Sequence, residues 1–263
     1  MSNRFKLIFY CALFNLLFEY SARGVKQFIH RPLFVLALFG IYVTYFAMLE
    51  DLIVRFKLTN YQVFLAAFLY GLFPIAFLTG NLFNRTIYGG IIIAGVNVGT
   101  VVVIGVLAWG VVQGMVTLYL ANRLSPRDWD HPRMGGIGWA LAVGYQLVVM
   151  FVARSNPQAP RGDLSGYLVF GMLEVGAVIL LFKSVKSSRP QIRPFQPSRV
   201  MDFLAFGSVV LFLILGTLFA FGPTVVTSQP LNVLAVTIEN IWVFLCGIVF
   251  FVYRFWKGSD VTV

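Results

Sequence analysis

From Ile87 to Leu120 the chain carries no charged side chain: IYGGIIIAGVNVGTVVVIGVLAWGVVQGMVTLYL. About 20 apolar residues wound as an α-helix cross the hydrocarbon core of a bilayer, and a run of 18 or more with no charge already marks a transmembrane candidate. Shorter runs of the same kind flank this one on both sides. Hydrophobic residues make up 59% of the chain and charged residues 11%, where a soluble domain carries about 25% charged residues. The charges are also segregated into short segments between apolar stretches. Elements that are apolar all round belong in lipid or deep in a core, and there are too many of them here for one soluble core. The sequence therefore predicts an all-α fold, a polytopic transmembrane helical bundle of 7–8 membrane-spanning helices with no sizeable soluble domain.

The net charge is +10. On a soluble protein that would suggest nucleic acid. Here the basic residues lie at span ends, where Lys and Arg are retained on the cytoplasmic side of a membrane beside anionic headgroups. The expected partner is the lipid bilayer, with other membrane subunits as further candidates, and no nucleic acid. The two cysteines, Cys11 and Cys246, sit inside apolar runs without a CxxC partner, so they read as small buried hydrophobes.

The single integral membrane domain is expected to cover 1–263, with spans over 5–20, 33–49, 61–82, 87–120, 137–152, 166–182, 203–221 and 231–251. The first is short and interrupted by Asn15 and Glu19. The following YSARG matches a signal-peptidase site only loosely, so the segment is expected to be retained. Glu50, Asp51, Arg55 and Lys57 are read as a charged interface ending the second span. Pro74 removes a backbone donor inside the third and should kink it. The fourth would be about 50 Å long as one α-helix, against a core of about 30 Å. It is expected either to tilt and project, or to break between Gly105 and Gly114. If all eight segments cross, 14 of the 20 Lys and Arg fall on one side. The positive-inside rule makes that side, with both termini, cytoplasmic, and the cell (plasma) membrane is the expected location.

Few residues suggest chemistry. Glu174 lies near the middle of the sixth span, where a carboxyl costs a few kcal/mol. It reads as a proton or cation site, or as a protonated structural glutamate, the second carrying more weight. Glu239, beside Asn240, is a second intramembrane polar point. Asn97, with Thr100, is a third, and Gln113 and Gln146 are further candidates. For each of these the default role is hydrogen bonding between helices. Gly95-Val96-Asn97-Val98-Gly99 and Gly110-Val111-Val112-Gln113-Gly114 are GxxxG patterns that indicate close packing. The loop Asp128-Trp129-Asp130-His131 could hold a divalent metal, but Arg127 and Arg133 flank it and a salt-bridged loop is the expectation. His30 reads as interfacial. Asn84-Arg85-Thr86 matches a glycosylation sequon, which matters only in a secretory-pathway host. No P-loop, HExxH or GxSxG motif occurs.

No catalytic, cofactor-binding or metal-binding residue is assigned, and no cofactor is expected. The candidate intramembrane polar site is the set Glu174, Glu239, Asn97 and Gln113. Those residues, with helices interrupted by Pro74 and glycine, favour a small-molecule or ion permease or the membrane subunit of one. The alternatives are a non-catalytic accessory or assembly subunit of a larger membrane complex, and a membrane-embedded lipid-modifying enzyme with the Asp128–Arg133 loop at its mouth.

Overall fold

The structure, a computed structural model, describes residues 3–129, 134–155, 160–186, 197–218 and 230–252. Among these, helices dominate: α1 (Asn3–His30), α2 (Pro32–Phe56), α3 (Asn60–Phe73), α4 (Val98–Thr100), α5 (Thr117–Leu124), α6 (Gly136–Arg154), α7 (Leu164–Lys186), α8 (Arg199–Leu218) and α9 (Pro230–Phe250). The only strands there are two residues each, β1 (Ile92–Ile93) and β2 (Val96–Asn97). Seven helical stretches are long and apolar enough to cross a membrane, and Leu234–Phe250 within α9 is a shorter apolar helix. The chain is thus an all-α polytopic bundle.

The chain folds as two compact units, one of 1–47, 116–132 and 195–263, the other of 48–115 and 133–194. In the first, α1 is the central strut. Its stretch Asn3–Lys26 is long and apolar enough to cross a membrane, extending past Tyr20, where the apolar pattern stops. The polar side chains along it are received inside the bundle. Asn15 donates to Thr117 on α5 at 3.1 Å, and Glu19 finds Arg23 and Tyr42. Helix α1 runs parallel to α8. The rings of Phe14 and Phe18 pack on Phe212, and the Tyr20 and Thr217 hydroxyls share a hydrogen bond of 3.0 Å. Helix α9 packs antiparallel on α8, with the Trp242 indole donating to Ser208 at 2.8 Å and Leu215 against Ala235.

In the second unit α3 opens on a capping box, Thr59 Oγ1 accepting from Gln62 N and Gln62 Oε1 from Thr59 N. Pro74 does not simply bend the third span. It opens a π-helical turn, Pro74–Leu78, one of the ways a helix absorbs a missing donor. Opposite α3 runs a π-helical stretch, Val101–Val116. Gly71 lets the two close up, because a Cβ there would overlap Trp109, and Gly110 does the same for the Phe64 ring.

Two expectations about the elements are corrected. The uncharged run 87–120 is neither one tilted helix nor a helix broken between Gly105 and Gly114. Its first part is a 3-10 turn, Tyr88–Gly90, and the β1–β2 hairpin, whose turn residues Ala94 and Gly95 both have positive φ, 45° and 81°. The helical stretch starts at Val98 and continues to Leu124, 27 residues in all. Hydropathy identified the environment, while Gly89, Gly90, Gly95 and Asn97 carried turn chemistry that hydropathy does not register. Second, α2 does not stop at Leu49. It runs to Phe56 and buries Glu50 and Asp51, at 1% and 0% exposure.

Candidate functional site

Ionisable groups inside a membrane bundle are costly and need a partner. In the first unit they gather around the second half of α1. The helical turn places Glu19 and Arg23 on one face, four residues apart. Arg23 Nε lies 2.6 Å from Glu19 Oε2, with only 18% and 15% of the two side chains exposed. Tyr42 on α2 donates to the other oxygen, Glu19 Oε1, at 2.7 Å. The Arg23 guanidinium lies over the Phe34 ring, 4.9 Å from its centroid, a cation–π contact. Immediately beyond Arg23 the helix breaks at Gly24, with φ 73° and ψ 165°, a conformation that only glycine adopts without strain.

Glu239 of α9 joins this group. It is 5% exposed, and its Oε1 lies 2.8 Å from Ser21 Oγ. Ser21 Oγ is also 2.7 Å from the Phe18 carbonyl oxygen. Both Glu19 and Arg23 act electrostatically on Glu239. Two carboxyls, one guanidinium, a phenol and a serine hydroxyl therefore converge beside a helix break. Reading the sequence singled out Glu239 but took Glu19 as a flaw in a short span, and passed over Ser21, Arg23 and Tyr42. The four-residue spacing of Glu19 and Arg23 was the available signal.

The other sequence candidates lie in the second unit and are not brought together. Asn97 is fully buried and caps the helical stretch that begins at Val98, its Oδ1 accepting from Thr100 N. Its Nδ2 donates to the Asn84 and Ile87 carbonyls at 2.7 and 2.9 Å. Gln113 is 1% exposed inside the π-helical stretch. Gln146 accepts from the Tyr70 hydroxyl at 2.8 Å. Glu174 is partly buried on α7, and its Oε1 has no hydrogen-bond partner among the described residues. Ala177, three residues on, is packed, but Gly171, three residues back, faces open space.

Asp51, expected at a charged interface ending the second span, is instead a buried hydrogen-bond acceptor. Asp51 Oδ2 accepts from Arg55 Nη2 at 2.8 Å and from the Trp139 indole at 3.0 Å. Its Oδ1 accepts from Met134 N at 2.6 Å. The Trp139 and Met134 contacts tie α2 to the entry of α6, which reads as architecture. Of the Asp128–His131 loop, Asp130 and His131 lie outside the described residues. Arg127 is 8% exposed, its guanidinium 5.4 Å from the Trp129 ring centroid. Among the described residues no three potential metal ligands converge.

No curated protein and no solved structure matches the chain. A family model does, over residues 9–259. The match reaches into every membrane helix described above and covers both halves of the polar cluster, so the chain, a multi-pass integral membrane protein, belongs to the family described as an uncharacterized membrane protein family.

Proposed function

We propose that this protein is a small permease that couples the movement of an ion or small solute to a proton carried by Glu239. The observation that supports this is the hydrogen-bond arithmetic at Ser21. A serine hydroxyl has one proton, and a carbonyl oxygen only accepts. Ser21 Oγ is within 2.8 Å of Glu239 and 2.7 Å of the Phe18 carbonyl. Both contacts are full hydrogen bonds at once when the carboxyl supplies the second proton. Charge balance agrees. Arg23 neutralises Glu19, so a neutral cluster needs one proton on Glu239. Exchangeable protons held near a broken helix inside a bundle are a recurring arrangement in coupled transporters.

The test is reconstitution of protein purified in mild detergent into liposomes containing a pH-sensitive dye, under an imposed membrane potential. Wild-type protein is expected to move protons. Glu239→Gln, which keeps the shape and most hydrogen bonds, is expected to lose that flux, and with it the infrared band of a protonated carboxyl. Equal flux in the two proteins would remove Glu239 from the mechanism.

A second reading, a non-catalytic subunit of a larger complex, is favoured by α6 and α7. Most of each helix is unburied, and open space surrounds Gly144, Gly171 and Gly176 where a side chain would stand. A companion protein retained in stoichiometric amount through the same purification would support this reading.

The proposed setting is the cell (plasma) membrane with both termini cytoplasmic, on the strength of the basic loops. An impermeant thiol reagent added to intact cells should then fail to label a single cysteine at Ser187, a position outside the described residues. Ready labelling would invert the topology.

A further inference from the structure

The hairpin that replaces the start of the fourth span has an unusual composition for a connection between helices. Ile91 and Ile93 are each 61% exposed, and no charged residue lies between Arg85 and Arg123. Its two flanks are membrane spans, Asn60–Leu78 before it and Val98–Leu124 after it. Its height relative to α7 is set by contact. A Cβ on Gly95, at the tip, would meet Gly166 N and Cα at 2.8 and 2.9 Å, and would also meet the Asp163 carboxylate. The tip therefore rests on the first turn of α7.

Asp163 is the last charged residue before the apolar run of α7 begins. It caps α7, accepting from Gly166 N at 2.7 Å and from Ser165 Oγ at 2.8 Å. The Gly166 N–H holds its carboxyl below the usual carboxylate range, so it is ionised at neutral pH. The next residue, Leu164, is 77% exposed, and Leu168, one turn deeper, 59%. An apolar surface thus begins within a residue of a charged one, and Ile91 and Ile93 belong to the hairpin seated at that level.

Backbone that leaves the helical state can enter lipid only if its polar groups are satisfied internally. Here several of them are met within the segment. Strands β1 and β2 pair Ile92 with Asn97 and Ile93 with Val96. Val98 N donates to the Ile91 carbonyl at 2.9 Å and Gly90 N to the Ile87 carbonyl at 3.1 Å. The Asn97 side chain adds the Asn84 and Ile87 carbonyls. Fully buried Asn97 thereby gains a role other than a transport site, which is to make this segment compatible with hydrocarbon.

From these observations we infer that the β1–β2 hairpin is a lipid-contacting element, with Ile91 and Ile93 inserted among the acyl chains at the membrane boundary. The inference is independent of whether Glu239 carries a proton. It is tested with Ile93→Cys labelled with an environment-sensitive fluorophore, in intact protein reconstituted into phosphatidylcholine vesicles with or without lipid brominated on the acyl chain. Wild-type protein labelled in parallel gives the background, since Cys11 and Cys246 are fully buried. Blue-shifted emission that loses most of its intensity to brominated lipid is the expected result. Water-like emission quenched by iodide would overturn the inference. So would emission shielded from both quenchers, which would mean that a protein covers the hairpin. Ile91→Cys provides a second, equally exposed position, so one poorly folded variant does not leave the question open. An added Asn97→Leu substitution should move the probe towards water, because the Asn84 and Ile87 carbonyls would then need solvent.

Discussion

Replacing Asp51 with leucine is expected to destabilise the protein by about 2–5 kcal/mol, because the Trp139 and Met134 donors lose their acceptor, at about 1–3 kcal/mol each, and Arg55 loses its carboxylate. Asp51 is fully buried and accepts four hydrogen bonds, two from Arg55, one from Trp139 and one from Met134. The Arg55 side chain is 33% exposed, so water can replace part of what it loses. The Trp139 indole and the Met134 amide, both part-buried donors, account for much of the remainder. Asp51→Asn keeps an acceptor oxygen and the shape, and should cost less than half as much. The measurement is thermal or denaturant-induced unfolding in detergent micelles. A loss under about 1 kcal/mol for the leucine variant, typical of a single interhelical hydrogen bond, would show that Asp51 is not the anchor described.

The second large effect is expected at Arg23. Arg23→Leu leaves Glu19 with Tyr42 alone, beside a second carboxyl, Glu239. A buried carboxylate without its cation should cost about 3 kcal/mol or more. Loss of the contact over Phe34 adds to this. Removing both charges, Glu19→Gln with Arg23→Leu, should be milder than the sum of the single variants. A double-mutant cycle is expected to return a coupling within about 0.5–3 kcal/mol. Additive single effects would mean that the pair at 2.6 Å does not persist in the membrane. Arg23→Lys keeps the charge but not the planar stacking, and should fall between wild type and leucine.

How legible this protein was differs from residue to residue. Most apolar helices could be located, because transfer from water to hydrocarbon adds up along the chain whatever the neighbours are, but α1 and α2 end, and the stretch from Val98 begins, several residues away from the expected bounds. Glu239 could be picked out for the same reason, as a costly side chain in a cheap environment. Glu19 and Asp51 were misread as flaws or span ends. Asp51 is buried and Glu19 half-buried because a partner arrives from elsewhere: Tyr42 is 23 positions from Glu19, and Trp139 is 88 from Asp51. The hairpin at 92–97 was hidden by its own hydrophobicity. A strand pair as short as this one offers no periodicity, and only the Ala94–Gly95 turn and the Asn97 cap betray it.

By itself, then, the order of residues determined that this chain inhabits a bilayer, that it crosses repeatedly as helices, and where most crossings lie. Those properties depend on local composition and on the need of each segment to satisfy its own backbone in lipid. The tertiary structure decided which charged and polar groups are paired. It alone placed Glu239 with Ser21, Glu19 and Arg23, and Asp51 with Trp139 and Met134. It also set the helix apart from the hairpin within one uncharged run. A hydrogen bond or ion pair has short range and fixed geometry, so its existence depends on which distant helix brings a partner within about 3 Å, and no local pattern of residues encodes that.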